Sequence, residues 1–369
     1  MLFPASDDTS EKRANLVLTR RSALIAMCST LSSVCAHGVA LQAASEAHLT
    51  ESNGRRLGPV QIALLDSASY FDSLRLEALR TLGAVTIYDR ISSEAEAITS
   101  LAGMAIAIAN PARVPLTAAV LEKADDLKLL VIGTTGKDRV DMAAAARKGI
   151  SVANVPDYAT EAVAEHVFAL LLALSKHIRE ADARVRGGRF ATFDEDKTLL
   201  GFDLAGKTLG VVGLGRIGTR VAQIGTGFSM STLAWDRRPK DVSGVTQTSL
   251  DQLLARSDVV SLHLALTNET AGILNAARLQ LMKRTAILIN TARAELVDES
   301  ALFAALRDGG IAGAGLDAVG GATLSNPLLT LQNVVFSPHV AFYTRESVSN
   351  RADFLVQTVR GFLAVAAGR

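Results

Sequence analysis

Cysteine is nearly missing from this chain: there are two in 369 residues, Cys28 and Cys35, both near the N-terminus. That scarcity excludes a disulfide framework and a cysteine-built metal site in the body of the protein. A charge imbalance is missing as well. With 38 Lys and Arg against 37 Asp and Glu, the chain lacks the basic footprint of a nucleic-acid or anionic-membrane binder. No long hydrophobic run is present; the longest in the body, Val167–Leu174, is far too short to span a bilayer. Internal repeats and low-complexity segments are also lacking. What the chain does have is apolar bulk. Hydrophobic residues make up 49%, ample for two cores in a chain longer than one usual domain.

Strand-like sequence begins only at Val60, so residues 1–56 read as an N-terminal extension. Within it, Arg20-Arg21 precede a weakly apolar stretch, Ser22–Ala36, and then small residues through Ala43-Ala44-Ser45. Those are the parts of a secretory signal, with paired arginines suited to twin-arginine export to the periplasm. A plain extension on a cytoplasmic protein fits the same residues. Asp7, Asp8 and Glu11 argue against a mitochondrial transit peptide.

From Val60 onward, short apolar runs alternate with helical segments, the signature of parallel α/β units. Gln61–Leu65, Val85–Tyr88, Ala105–Ala109, Lys128–Ile132 and Ser151–Ala153 read as the strands of a first, smaller set. Thr160–Arg186 reads as one long helix with an apolar face through Val163, Val167, Leu170, Leu171 and Leu174. A second set follows at Thr208–Val212, Thr232–Trp235, Val259–Leu262, Ala286–Asn290, Gly313–Leu316 and Val334–Phe336, and Thr344–Val365 closes the chain as an amphipathic helix. The expected fold is therefore α/β: a Rossmann doubly wound nucleotide-binding domain at 157–337, with a smaller flavodoxin-like α/β domain at 57–156 and 338–369. Proline-marked hinges would lie near Asn154–Asp157 and Ser337–Val340.

The sharpest motif is KTLGVVGLGRIG, Lys207–Gly218, where Gly213, Gly215 and Gly218 follow an apolar strand in G-x-G-x-x-G spacing. The first glycine permits the tight turn and the second a close approach of backbone to a pyrophosphate. The third lets helix pack on strand, and the helix N-terminus aims free N–H groups at the phosphates. A second strand ends at Asp236, 23 residues after Gly213, placed to accept hydrogen bonds from an adenosine ribose. This points to NAD. Arg237 and Arg238 follow at once and keep NADP open, although a solvated turn before Pro239 accounts for them equally well. No metal is expected.

Three polar residues sit at the carboxyl ends of strands in the second set, where ligands bind in doubly wound sheets. Arg293 can grip a carboxylate and polarise a neighbouring carbonyl. His339 can give or take the proton that accompanies hydride transfer. Asp317 reads as a structural residue, capping its loop or holding Arg293.

These motifs resemble the D-isomer-specific 2-hydroxyacid dehydrogenases from about Val60 to the C-terminus. The segments that carry the likeness are TTGKDRVDMAAAARKGISVANVPDYATEAVAEH, LAGKTLGVVGLGRIG, SLHLALTNETAGILN, INTARAELVDESAL, GAGLD and SPHVAFYT. The N-terminal half is similar to glycerate dehydrogenases and hydroxypyruvate reductases, and HVAFYT to D-lactate dehydrogenases. The resemblance implies an NAD-dependent enzyme that interconverts a small 2-oxo acid of the glyoxylate, hydroxypyruvate or pyruvate type and its D-2-hydroxy acid. Arg293 would bind the substrate and His339 act as acid and base. Asn110, Ala112, Arg113, Thr135 and Gly136 would offer backbone N–H groups to the carboxylate. Gly213, Gly215, Arg216, Ile217, Gly218, Asp236, Thr291 and Asp317 would line the cofactor, and the Thr160–Arg186 helix would form a homodimer interface.

One departure stands against these matches. The family pairs its histidine with a glutamate whose place, counted from Arg293, falls at Ala322, and no Asp or Glu occurs from Ala318 to Arg345. Ala294 and Ala265 also replace a glycine and a proline of the pattern. Without the carboxylate, His339 is expected to titrate near the ordinary histidine value of about 6.5. Asp317, Glu346 and Glu161 are the acids that could stand in for it. The departure also leaves a second reading open: a weakly active or inactive NAD-binding dimer that acts as sensor or scaffold.

Overall fold

Apolar runs of Val, Ile, Leu and Ala bounded by glycine and polar turns build two parallel sheets, and the computed structural model describes them over residues 59–190, 197–319 and 325–367. Residues Val60–Phe362 make one compact unit; of the other, Met1–Pro59 with Leu363–Arg369, the described part is Pro59 and the end of the last helix. The arginine pair at Arg20-Arg21 and the position Ala322 lie outside the described residues.

The first sheet takes β1 (Gln61–Leu65), β2 (Ala84–Tyr88), β3 (Ile106–Ala109), β4 (Leu129–Ile132) and β5 (Ser151–Asn154) in the order β2-β1-β3-β4-β5. Every pairing is parallel. This is the flavodoxin-like order. Its helices are α1 (Ser73–Arg80), α2 (Glu94–Leu101), α3 (Ala118–Leu121) and α4 (Met142–Arg147). Asp72, Ser93 and Asp141 cap three of them by accepting from Arg75, Glu96 and Ala144 N–H groups. The inner strands β3 and β4 are buried throughout, as a sheet covered on both faces requires, whereas the edge strands β2 and β5 are partly open.

Two helices follow, α5 (Thr160–Ser175) and α6 (Ile178–Arg186). The single helix expected over Thr160–Arg186 is thus corrected to two, broken at His177, whose backbone is left-handed at φ 50°. The cause is the loss of an apolar face. Val167, Leu170 and Leu171 of α5 are buried, whereas the IREADARVR segment of α6 buries no residue.

The second sheet contains β6 (Thr208–Val212), β7 (Ser231–Trp235), β8 (Val245–Gln247), β9 (Val259–Leu262), β10 (Ile287–Asn290), β11 (Gly313–Leu316) and β12 (Val334–Phe336). Their order, β12-β11-β10-β9-β6-β7-β8, is the doubly wound Rossmann arrangement with one added strand. Of these, β8 has no counterpart in the sequence reading; it is a short, partly exposed edge strand. The associated helices are α7 (Arg216–Gly227), α8 (Leu250–Arg256), α9 (Ala276–Leu281) and α10 (Glu299–Arg307). A Cβ on Gly315 of β11 would stand 2.9 Å from Leu170 Cβ, so the glycines of GAGLD are what let α5 lie close on this sheet. Finally α11 (Arg345–Ala367) meets the first sheet's side of the molecule, with Arg75 Nε 2.7 Å from Asp353 and the Arg351 guanidinium over the Tyr70 ring. No helix among the described residues is long and apolar enough to cross a membrane.

Candidate active site

The order of the second sheet reverses between β6 and β9, and the crevice at that switch point begins at the glycine turn. Gly213 holds φ at +102°, a conformation L side chains rarely adopt. A Cβ on Gly218 would overlap the Gly213 carbonyl oxygen, which explains the third glycine of the motif. Around Gly215 nothing lies within 4 Å of where a Cβ would be. That open space, at the start of the twelve-residue helix α7 with Arg216 and Ile217 in its first turn, fits a pyrophosphate. At the end of β10, Thr291 Oγ1 is buried with no hydrogen-bond partner among the described residues, a second place where a bound cofactor would complete the protein.

Asp236 ends β7 and is engaged locally. It accepts from the Leu214 N–H at 2.8 Å and the Arg238 N–H at 3.0 Å, with Lys240 Nζ 3.0 Å away. Partial burial pushes the carboxyl up, but these donors outweigh it and hold it below the usual range. Lys240 also reaches the Leu214 carbonyl at 2.7 Å. Sequence reading considered Arg237 and Arg238 here and missed Lys240. The surrounding cleft, about 820 Å³, is lined among others by Gly215, Arg216, Lys240, Tyr158 and Asn350.

Beyond it, Arg293 stands three residues after β10, its carbonyl accepting from Asn290 Nδ2 at 2.8 Å. Its guanidinium is clasped by Asp138 of the loop after β4, through Nε at 3.1 Å and Nη2 at 3.0 Å, while Nη1 donates to the Ala292 carbonyl at 2.9 Å. Among the described residues, three of the five N–H donors are taken and two remain. Burial pushes the Asp138 carboxyl up, and the Arg293 hydrogen bond and charge outweigh it to hold the group ionised. The loop depends on Gly136, where a Cβ would run into both Arg293 and Asp138. Neither Asp138 nor this dependence was legible from spacing, because the pair joins the loops of two sheets.

The carboxylate cradle expected at Asn110–Arg113 is corrected. The Asn110 N–H donates to Leu65 O, Pro111 has none, Ala112 N–H donates to Asn110 Oδ1, and Arg113 N–H donates to the Asn110 carbonyl. The turn consumes its own donors. By contrast, no hydrogen bond among the described residues uses the N–H of Thr135 or Gly136.

His339 follows β12 with a left-handed backbone, φ 56°, and its N–H donates to the Asp317 carbonyl at 3.0 Å. Asp317 is 2% exposed and binds the loop itself, accepting from Ser337 Oγ at 2.6 Å, Val340 N–H at 2.9 Å and Ala341 N–H at 3.0 Å. It therefore shapes the His339 loop and does not hold Arg293. Sequence reading also missed His166 on α5, whose Nε2 shares a 2.8 Å hydrogen bond with Ser337 Oγ. Among the described residues no side chain hydrogen-bonds the His339 ring. Burial lowers its pKa below the ordinary value, Asp317 pulls it up, and Arg293 and Arg139 lower it further. The expectation of an ordinary histidine value is thus corrected downward. Of the other stand-in acids, Glu161 is spent on Arg220 at 2.7 Å, and Glu346 lines the cofactor cleft. Among the described residues the site thus combines an open dinucleotide cradle, an arginine with two spare donors, two free N–H groups and an unpaired imidazole.

The profile of a family described as D-isomer specific 2-hydroxyacid dehydrogenase, NAD binding domain, matches residues 168–341. A glyoxylate reductase of Korarchaeum cryptofilum is 41% identical over 254 residues, covering 67% of this chain and 76% of its own. A glycerate dehydrogenase of Methylorubrum extorquens is 39% identical over 287 residues, covering 75% and 88%. Among solved structures, an acyclic imino acid reductase in complex with NADPH and D-arginine superposes with a TM-score of 0.79 at 34% identity, covering 83% of this chain and 97% of that one. A D-lactate dehydrogenase of Aquifex aeolicus, complexed with NAD and lactic acid, gives 0.74 at 34% identity, covering 83% and 96%.

Proposed function

Because the chain belongs to the D-isomer-specific 2-hydroxyacid dehydrogenase family, and is an NAD-binding oxidoreductase by that membership, we propose that it reduces a small 2-oxo acid to the D-2-hydroxy acid. When bound, the reduced nicotinamide supplies the hydride. Residues 157–337 form the nucleotide domain in this reading, and 57–156 with 338–369 the substrate domain. The observation that carries the proposal is Arg293, which has two spare donors among the described residues, set near the His339 imidazole, which has no side-chain partner among them and whose pKa the Arg293 charge lowers.

Arg293 and the free N–H groups of Thr135 and Gly136 bind the substrate carboxylate, which orients the ketone. The Arg293 charge also draws electron density toward the ketone oxygen. Protonated His339 delivers its proton to that oxygen as the alcohol forms. Asp317, which holds the loop from Ser337 to Ala341, keeps the imidazole in place.

The test is oxidation of NADH by the purified chain with glyoxylate, hydroxypyruvate and pyruvate, alongside Arg293→Gln and His339→Gln. Turnover that falls by about 10²-fold or more in each variant supports the assignment. A second reading, NAD binding with little turnover, is favoured by the absence of any side-chain partner on the His339 ring among the described residues. It predicts NADH binding with no consumption on any of these acids.

We also propose a homodimer through the α5–α6 segment. Support comes from α6, which leaves Ile178 56% and Val185 51% exposed on an otherwise polar helix.

A further inference from the structure

Arg351, in the N-terminal half of α11, is a charge without an answer. It is 4% exposed, and a guanidinium stays protonated at any pH a folded protein meets. Among the described residues no carboxylate forms an ion pair with it, and its Nε is buried with no hydrogen-bond partner. Its surroundings are aromatic. The guanidinium carbon lies 3.8 Å from the centroid of the Tyr70 ring and 5.5 Å from those of Tyr158 and Phe342. Ring faces attract a cation but do not neutralise it, so a buried guanidinium held this way still calls for an anion.

The same rings link that charge to the reacting groups. Phe342 is also the neighbour of His339, with ring centroids 6.3 Å apart. Tyr158 packs on Phe342 at 6.2 Å, lines the cofactor cleft, and has its ring 5.5 Å from the Arg351 guanidinium. Its hydroxyl lies in the fields of both Arg351 and Arg293. Two guanidinium groups therefore act on one tyrosine hydroxyl. Arg293 is already partnered by Asp138, and Arg351 has no such partner.

We propose that Arg351 is a second anion-recognition residue of the substrate site, and that the preferred substrate is a 2-oxo acid with a second, distal anionic group. The inference rests on the 2-oxo acid reading. The carboxylate next to the ketone goes to Arg293, Thr135 and Gly136, and the distal anion goes to Arg351, whose idle Nε–H it engages. Tyr70, Tyr158 and Phe342 keep water from that ion pair, which strengthens it.

The test compares matched pairs on the full chain with NADH: 2-oxobutyrate against oxaloacetate, 2-oxopentanoate against 2-oxoglutarate, and hydroxypyruvate against its 3-phosphate. The last pair separates a phosphate from a carboxylate. In at least one pair kcat/KM is expected to favour the member with the distal anion by about tenfold or more, with the ratio falling to near one in Arg351→Met. Arg351→Lys should keep part of the preference. Preference for the singly charged acid in every pair, or an Arg351→Met variant that lowers both members alike, overturns the proposal. Calorimetric titration of the same pairs into the NAD⁺-bound protein needs no turnover. Selective binding that Arg351→Met abolishes supports the role of Arg351 even where nothing is reduced, an outcome that would sink only the reductase reading. Equal binding of both members overturns it whatever the turnover. Should Arg351→Met not fold, Arg351→Gln and Arg351→Lys carry both measurements.

Discussion

Arg293 shows how a single side chain is made ready. A guanidinium on its own would sample many rotamers; clasped by Asp138 and the Ala292 carbonyl, it presents two fixed donors. Gly136 provides the room, so Gly136→Ala should displace the fork and lower kcat/KM by about 10²-fold. Circular dichroism and a melting curve close to those of the parent would confirm that the site, and not the fold, was lost. His339 makes a second prediction. Its pKa in the fold lies below the ordinary value, and the reductive step needs the protonated form. The pH profile of kcat/KM should therefore decline as pH rises through an inflection below about 6.5. A flat profile from pH 5 to 8 removes His339 from the acid role. Asp236 makes a third. Asp236→Ala should raise KM for NADH more than for NADPH, because the lost carboxylate would face a ribose hydroxyl in one cofactor and repel a phosphate in the other. Equal changes would take Asp236 out of ribose binding, and Lys240, 3.0 Å away, would be the first residue to examine.

At the scale of elements, the helix pair α5 and α6 is the instructive case. Burial, not local propensity, decides where α5 ends. Its apolar face is covered by the second sheet until Ser175, and beyond that point no apolar surface calls for continuation. The break leaves His177 in a left-handed conformation that costs a non-glycine residue about 1 kcal/mol. His177→Gly should therefore stabilise the protein by roughly 0.5–1 kcal/mol in urea unfolding. An unchanged or lower midpoint would show that the imidazole makes contacts worth as much. The close seat of α5 on β11 predicts the reverse at Gly315. A Cβ there approaches Leu170 at 2.9 Å, so Gly315→Ala should destabilise by about 1–3 kcal/mol.

For the whole molecule, acid sensitivity follows from His263, just beyond the end of β9. Burial lowers its pKa to about 3, and its Nε2 lies 2.8 Å from Ser261 Oγ. The unfolded chain takes up a proton near pH 6.5 whereas the folded one resists until about pH 3. The stability tied to neutral His263 is thus fully present above about pH 6.5 and is lost as pH falls toward 3, by about 1 kcal/mol per pH unit. His263→Asn should flatten that acid limb in unfolding curves measured between pH 4 and 7. The proposed homodimer is also tested at this scale. Ile178→Glu with Val185→Glu should halve the mass seen by light scattering if α6 forms the interface, and a monomeric parent would refute it.

What the sequence by itself determined was the local alphabet. Eleven of the twelve strands could be read from apolar runs because inner strands of a parallel sheet are covered on both faces, and even the partly open edge strands β2 and β5 keep a short apolar run that needs no distant partner to be recognised. The glycine turn could be read because Gly213 and Gly218 serve steric ends set by the backbone itself. The edge strand β8 escaped notice because three half-exposed residues carry no period. Tertiary structure decided the rest. The break at His177 depends on where the sheet stops covering α5. The N–H groups of Ala112 and Arg113 are taken up by the turn's own geometry, whereas the Asp138 clasp on Arg293 and the aromatic enclosure of Arg351 depend on segments far apart in the chain coming together. Hydrogen bonds and buried charges are settled by neighbours in space, and neighbours in space are what a linear order of residues does not state.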